Sequence, residues 1–365
     1  MYELYFRQYP AEIPVKKNIR FEVLDGLRGI AAFAVLLLHI TPGNAIAVAP
    51  HAALAVDFFF ALSGFVIAAA YGKRLTRDMG VAAFVRLRLI RLYPLIALGA
   101  LFGAVGYMNV YDAPVLALLF VTGLLLIPTP FGAISEDQTL IPINPASWSL
   151  LWELLVNILF ALIAPRLGNR LLALIIFASG IALIASGSLF GGLNIGSFWR
   201  DGWAGIPRVL FSFFAGVALF RLYDAGKLDQ FRAPAWVAAL SLCVAMMVPQ
   251  LGTYNLVYDA VVVVVFFPLL LAVGANASVN GFGPLCNLFG AVSYPAYILQ
   301  SGITPHLRGL PGHLHLQGAA ATVLGLLLGV LFVLFSWIAL KTFDEPVRKW
   351  LMGRRRETPR AATAP

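Results

Sequence analysis

Apolar runs of roughly twenty residues recur from one end of this sequence to the other. The run at 53–71, ALAVDFFFALSGFVIAAAY, holds a single charged residue, Asp57. As a helix, a run of that length spans the ~30 Å of hydrocarbon in a bilayer. Others lie near 26–46, 93–111, 114–130, 147–164, 171–187, 203–220, 234–250, 257–275, 286–304 and 316–340. A water-soluble globule has nowhere to hide eleven such segments, because more than half of its surface must still face solvent. The composition agrees: 60% of residues are hydrophobic and only 12% charged, against about a quarter in soluble domains. The class is therefore all-α, a polytopic membrane protein. Disorder and a disulfide-stapled secreted fold are excluded. Cys243 and Cys286 read as small buried hydrophobes, with no metal site implied.

Charge fixes the expected topology. All of the 26 Lys and Arg residues except Arg200, Arg208 and Arg308 fall in five segments, 1–28, 73–91, 165–170, 221–232 and 341–365. Basic residues stay on the cytoplasmic side, so all five belong there and both termini are cytoplasmic. The net charge of +9 then reflects cytoplasmic loops, and no nucleic-acid partner is implied. Two inside termini require an even number of crossings. The loop 131–146, FGAISEDQTLIPINPA, carries two acids and no base, which suits the outside. Residues 93–130 then cross once, with 114–130 re-entrant or interfacial, giving about ten transmembrane helices. The expected organisation is a cytoplasmic segment 1–20, one membrane domain over 21–351 and a basic disordered tail over 352–365. The expected place is the bacterial inner (cytoplasmic) membrane.

Ionisable side chains in hydrocarbon are costly and usually functional. Of five histidines only His39 lies inside a run. Arg28 and His39, eleven residues apart, share one helix face about 16 Å apart along the axis. Asp25 can pair with Arg28. A mid-membrane histidine suits general-base or proton-transfer work; the plainer reading is an anchoring arginine and a histidine satisfied by a carbonyl. Ser149, Glu153 and Asn157 follow i, i+4, i+8 and share a face, flanked by Trp148 and Trp152. A packing stripe would explain the small polar residues, but a carboxylate needs a partner or a function. Arg86, Arg88 and Arg91 precede Tyr93-Pro94. Two arginines one turn apart suit phosphate groups, though a basic loop can also be purely topogenic.

Six stretches together resemble the acyltransferase 3 family of integral membrane acyltransferases. They are LDGLRGIAAFAVLLLH (24–39), VDFFFALSGFVI (56–67), FVRLRLIRLYP (84–94), WSLLWELL (148–155), VSYPAYILQ (292–300) and FDEPVRKW (343–350). They occur in family order and cover nearly the whole chain. The resemblance implies a ten-helix membrane domain without the soluble hydrolase-like domain some members carry. It implies transfer of an acyl group, often acetyl, from acyl-CoA to a hydroxyl of an extracytoplasmic glycan or related molecule. Acyl-CoA enters as a co-substrate, and no cofactor is expected. The family's essential Arg and His fall on Arg28 and His39, its Arg-x-x-Arg on Arg88 and Arg91, and its Glu on Glu153. The late motif often ends in His, and here it ends in Gln300, so no second histidine carries over. On this reading His39, Arg28 and Glu153 are the catalytic candidates. Arg86, Arg88 and Arg91 are the donor-binding candidates, and Ser149, Trp148 and Asp57 the acceptor-binding ones. His39 acts either as base in a direct transfer or through a transient acyl-histidine. The competing classes are a proton-coupled transporter, which would release no CoA thiol, and a non-catalytic scaffold, which leaves a mid-membrane histidine in register with an arginine unexplained.

Overall fold

The structure, a computed structural model, describes residues 21–353 apart from 42–44, 136–137 and 280, and the side chain of His306 is also outside the description. The expected cytoplasmic segment 1–20 and the tail from 354 onward lie outside the described residues. The described chain forms helices α1 (Glu22–Ile40), α2 (Ala52–Leu75), α3 (Val81–Tyr107), α4 (Ala113–Leu125), α5 (Ser147–Arg166), α6 (Asn169–Phe190), α7 (Gly202–Asp224), α8 (Ala235–Met247), α9 (Gly252–Asn276), α10 (Gly283–Arg308) and α11 (Gly318–Gly353). Eight of these are long and apolar enough to cross a membrane, and α4 and α8 are shorter apolar helices. α10 is 26 residues long and richer in polar groups, with a length of ~39 Å. The architecture is all-α and polytopic.

Contacts between connecting segments define two ends of the bundle. At one, Lys73 pairs with Asp224 at 3.0 Å, and Arg221 donates to the Leu167 carbonyl and to Asn169 Oδ1. There too Asn276 donates to the Leu228 carbonyl, and Asn287 to Glu22. At the other, the His51 amide donates to the Met246 carbonyl, the Leu193 amide to Asp259, and the Ile46 amide to Thr322 Oγ1. The chain alternates between these ends on every one of these helices except α4, the 13-residue α8 included, which makes ten passages and leaves Phe21 and Gly353 at the same end. The described basic clusters 73–91, 165–170, 221–232 and 341–353 gather at that end too.

α4 is the exception because it turns back. Asp112 caps it by accepting from the Val115 amide at 3.3 Å, and Leu126 closes it in a left-handed conformation. Gly103 of α3 and Gly123 of α4 both pack on Ile143, ahead of α5. Residues 126–130 leave the helix, and their loop binds the segment 197–199 through Leu140, Gln138 and Thr129.

Interior packing relies on close backbone approach, as expected where lipid supplies no hydrophobic drive between helices. A Cβ added to Gly64 of α2 would lie 1.9 Å from the Phe213 carbonyl of α7, and one added to Gly216 of α7 would lie 1.9 Å from the Ala61 carbonyl of α2. Outward faces carry the opposite chemistry. Leu174, Phe177 and Ile181 of α6 and Val323, Leu327, Val330 and Leu334 of α11 are exposed at helical spacing, which suits lipid contact.

Single cysteines at residues 76, 229 and 278, in a Cys243→Ser/Cys286→Ser background, are expected to react with an impermeant label from one side of sealed vesicles. Cysteines at 135, 194 and 253 should react only from the other side. Mixed sidedness within either set would refute the two-end assignment.

Candidate active site

A cavity of about 200 Å³ lies between α1, α2, α3, α5, α10 and α11. It is rimmed at the basic end by Tyr71 and Arg348 and reaches inward to Ser149 and Tyr297. Four arginines line it, Arg28, Arg88, Arg91 and Arg348, against three acids, Asp25, Glu153 and Asp344.

Each wall has a local reason. Arg28 sits two turns into α1, where it pairs with Asp25 at 3.2 Å. Its Nε donates to Ser293 Oγ at 2.8 Å, and a terminal nitrogen donates to the Gly290 carbonyl at 2.5 Å. That reach requires α1 and α10 to touch. Gly29 permits it, because a Cβ there would fall 2.4 Å from Phe289. Arg88 is buried and donates to Glu153 Oε1 at 2.9 Å. The Ser63 hydroxyl donates to the same oxygen at 2.9 Å. The Glu153 carboxylate thus ties α5 to α2 and α3. Arg88 Nε is buried with no hydrogen-bond partner, so a donor is left facing the cavity region for a ligand or water to satisfy. Deeper in, Ser149 Oγ and Tyr297 OH are 2.8 Å apart.

Of the candidates read from sequence, Arg28, Arg88, Arg91, Glu153 and Ser149 are brought into this one cavity. His39, Arg86, Trp148 and Asp57 do not line it. Arg86 is exposed at the basic end, two residues before Arg88 and so about 200° around the helix from it, off the face that Arg88 and Arg91 share. Asp57 is fully buried and taken up by Arg208 of α7. Arg208 Nε donates to Oδ1 at 3.2 Å and a terminal nitrogen to Oδ2 at 2.5 Å. The same guanidinium donates to the Ile195 carbonyl and lies over the Trp148 ring, 5.4 Å from its centre. Trp148 is therefore a buried wall for that ion pair and not an interfacial aromatic. The pair was legible in part, since Arg208 is an arginine inside the apolar run 203–220. Asn157, on the Ser149–Glu153 face, is buried outside the cavity with both amide atoms unpaired.

His39 lies in the last turn of α1, exposed, with Nδ1 2.8 Å from the Val35 carbonyl. A carbonyl only accepts, so Nδ1 carries the proton and the neutral ring offers its lone pair at Nε2. Arg308, the last residue of α10, acts on it electrostatically. The cavity and His39 are thus separated along α1 by ~16 Å, measured from Arg28. Sequence reasoning did not single out Ser63, Ser293, Tyr297 and Asp344. Asp344 and Arg348 stand four residues apart inside FDEPVRKW, a spacing that was readable as an ion pair.

The sequence profile of the acyltransferase domain family matches residues 21–341. The chain belongs to the acyltransferase 3 family. This member is also 35% identical over 193 residues to "Protein 2 in picA locus" of Rhizobium radiobacter; the match covers 47% of this chain and 96% of that protein. No solved structure matches it. As an acyltransferase 3 protein it is a multi-pass membrane acyltransferase, and residues from all six motif stretches line its cavity.

Loss of one partner in the Asp57–Arg208 pair leaves a buried charge unpaired, which costs about 3–5 kcal/mol. Arg208→Leu is expected to lower thermal stability in detergent sharply. The double variant Asp57→Leu/Arg208→Leu should recover much of the loss. Equal stability of single variant and wild type would show the pair to be dispensable.

Proposed function

We propose that this acyltransferase moves an acyl group, acetyl being the simplest, from acyl-CoA bound in the arginine-lined cavity to a hydroxyl of an extracytoplasmic glycan or related molecule. The carrying observation is the position of the four guanidinium groups at the basic end, with the base His39 further along α1 toward the opposite end. The basic end faces the cytoplasm by the distribution of positive charge, which is where CoA is found. Guanidinium groups bind phosphate by paired charge-assisted hydrogen bonds, and the arm between the phosphates and the thioester is long and flexible. The donor lies with its phosphates among the arginines and its thioester directed along α1.

His39 Nε2 takes the proton of the acceptor hydroxyl as the oxygen attacks the thioester carbon. The C–S bond breaks, the acyl group passes to oxygen, and the thiolate leaves with the proton returned from His39. Arg28 lines the cavity ~16 Å from His39 along α1 and supplies positive charge to the donor's phosphates. Glu153, held by Arg88 and Ser63, keeps the guanidinium of Arg88 fixed in the wall. Ser149 and Tyr297 form the inner polar end of the cavity.

His39→Ala is expected to abolish acyl transfer, read by mass spectrometry of surface glycans and secreted metabolites, while CoA still binds to the purified protein. Arg91→Ala and Arg88→Ala should weaken CoA binding by roughly ten- to a hundredfold, the equivalent of one charge-assisted contact. Arg91→Lys should restore only part of it. Full transfer by His39→Ala would remove that residue from the chemistry. Undiminished CoA affinity in the arginine variants would place the phosphates elsewhere.

A further inference from the structure

The rim of the cavity carries Asp344, to which no role has been given, beside Arg348. Two π-helical turns shape it. Ala68–Gly72 brings Tyr71 to the rim, and Leu340–Asp344 brings Asp344. Such turns insert an extra residue into a helix and are frequent at functional sites. One turn beyond Asp344 stands Arg348, its guanidinium 2.5 Å from Asp344 Oδ2. α11 runs toward the basic end, so Arg348 lies ~6 Å further out than Asp344.

Asp344 is 1% exposed, and its Oδ1 is buried with no hydrogen-bond partner. A carboxylate oxygen in that state is costly and calls for a donor from whatever fills the cavity. The rim therefore offers an anion-binding guanidinium and, one turn away, an acceptor that lacks its hydrogen. A ligand that fits both presents a phosphate beside a hydroxyl. The 3′-phosphorylated ribose of CoA does so, since its 2′-hydroxyl adjoins the phosphate. It is also the end of CoA furthest from the thioester, which matches an outermost position when the thioester points inward.

We propose that Arg348 and Asp344 form the subsite for the 3′-phosphoribose of the donor. Arg348 binds the phosphate, and Asp344 Oδ1 accepts from the neighbouring 2′-hydroxyl. This rests on the reading that the donor is acyl-CoA. Arg348 selects the donor, and the chemistry takes place elsewhere.

The test compares CoA with dephospho-CoA, which lacks only the 3′-phosphate, by calorimetric titration of the full chain in detergent. The wild type should favour CoA roughly tenfold or more, as expected for one charge-assisted contact. Arg348→Ala should bind the two ligands equally, near the wild-type affinity for dephospho-CoA, and Arg348→Lys should keep part of the preference. The ratio is internal to each preparation, so a general loss of folded protein does not move it, and Arg348→Lys supplies the ratio where Arg348→Ala fails to fold. A preference for CoA that survives intact in either variant, or a wild type that does not discriminate, overturns the subsite. A wild type that binds neither ligand overturns the donor reading itself, a result distinct from both.

Discussion

A charge placed among apolar helices must meet an opposite charge or a set of hydrogen bonds, and that requirement organises this protein. Arg208 has Asp57, the Ile195 carbonyl and the face of Trp148. Arg88 has Glu153, which Ser63 also holds. Arg28 has Asp25, Ser293 and the Gly290 carbonyl. Each of these partner sets draws on more than one element. They fix α2 to α7, α5 to α2 and α3, and α1 to α10 where packing alone would leave helices free to slide, because lipid competes with every apolar contact.

The three sets differ in what they leave over. Around Arg208 the inner groups are mutually satisfied and sealed by Trp148, so the pair is structural. Around Arg88 one nitrogen remains unpartnered in the wall of a cavity, and a similar orphan occurs at Asp344 Oδ1. Unfinished hydrogen bonding next to empty space is what distinguishes a site that accepts a ligand from an ion pair that holds a fold. It also explains why the acidic residues lining the cavity do not cancel its use: Asp25, Glu153 and Asp344 hold Arg28, Arg88 and Arg348 in position, and Arg88 keeps an unpartnered Nε.

The sequence by itself determined the all-α class, the apolar helices and the gathering of basic segments at one end. Each of these follows from local hydropathy and charge, which a bilayer reads segment by segment. It also pointed to Arg28, Glu153 and Ser149, because polar groups inside apolar runs are few, and to Arg88 and Arg91 by their spacing of one turn. It did not separate Asp57 and Trp148 from these, nor single out Ser63, Ser293, Tyr297 and Asp344. Whether a buried carboxylate faces a cavity or an arginine 151 residues away depends on which helices lie side by side. Only the tertiary structure decides that, because partners such as Asp57 and Arg208, or Ser63 and Glu153, meet through helix packing and not through any spacing along the chain.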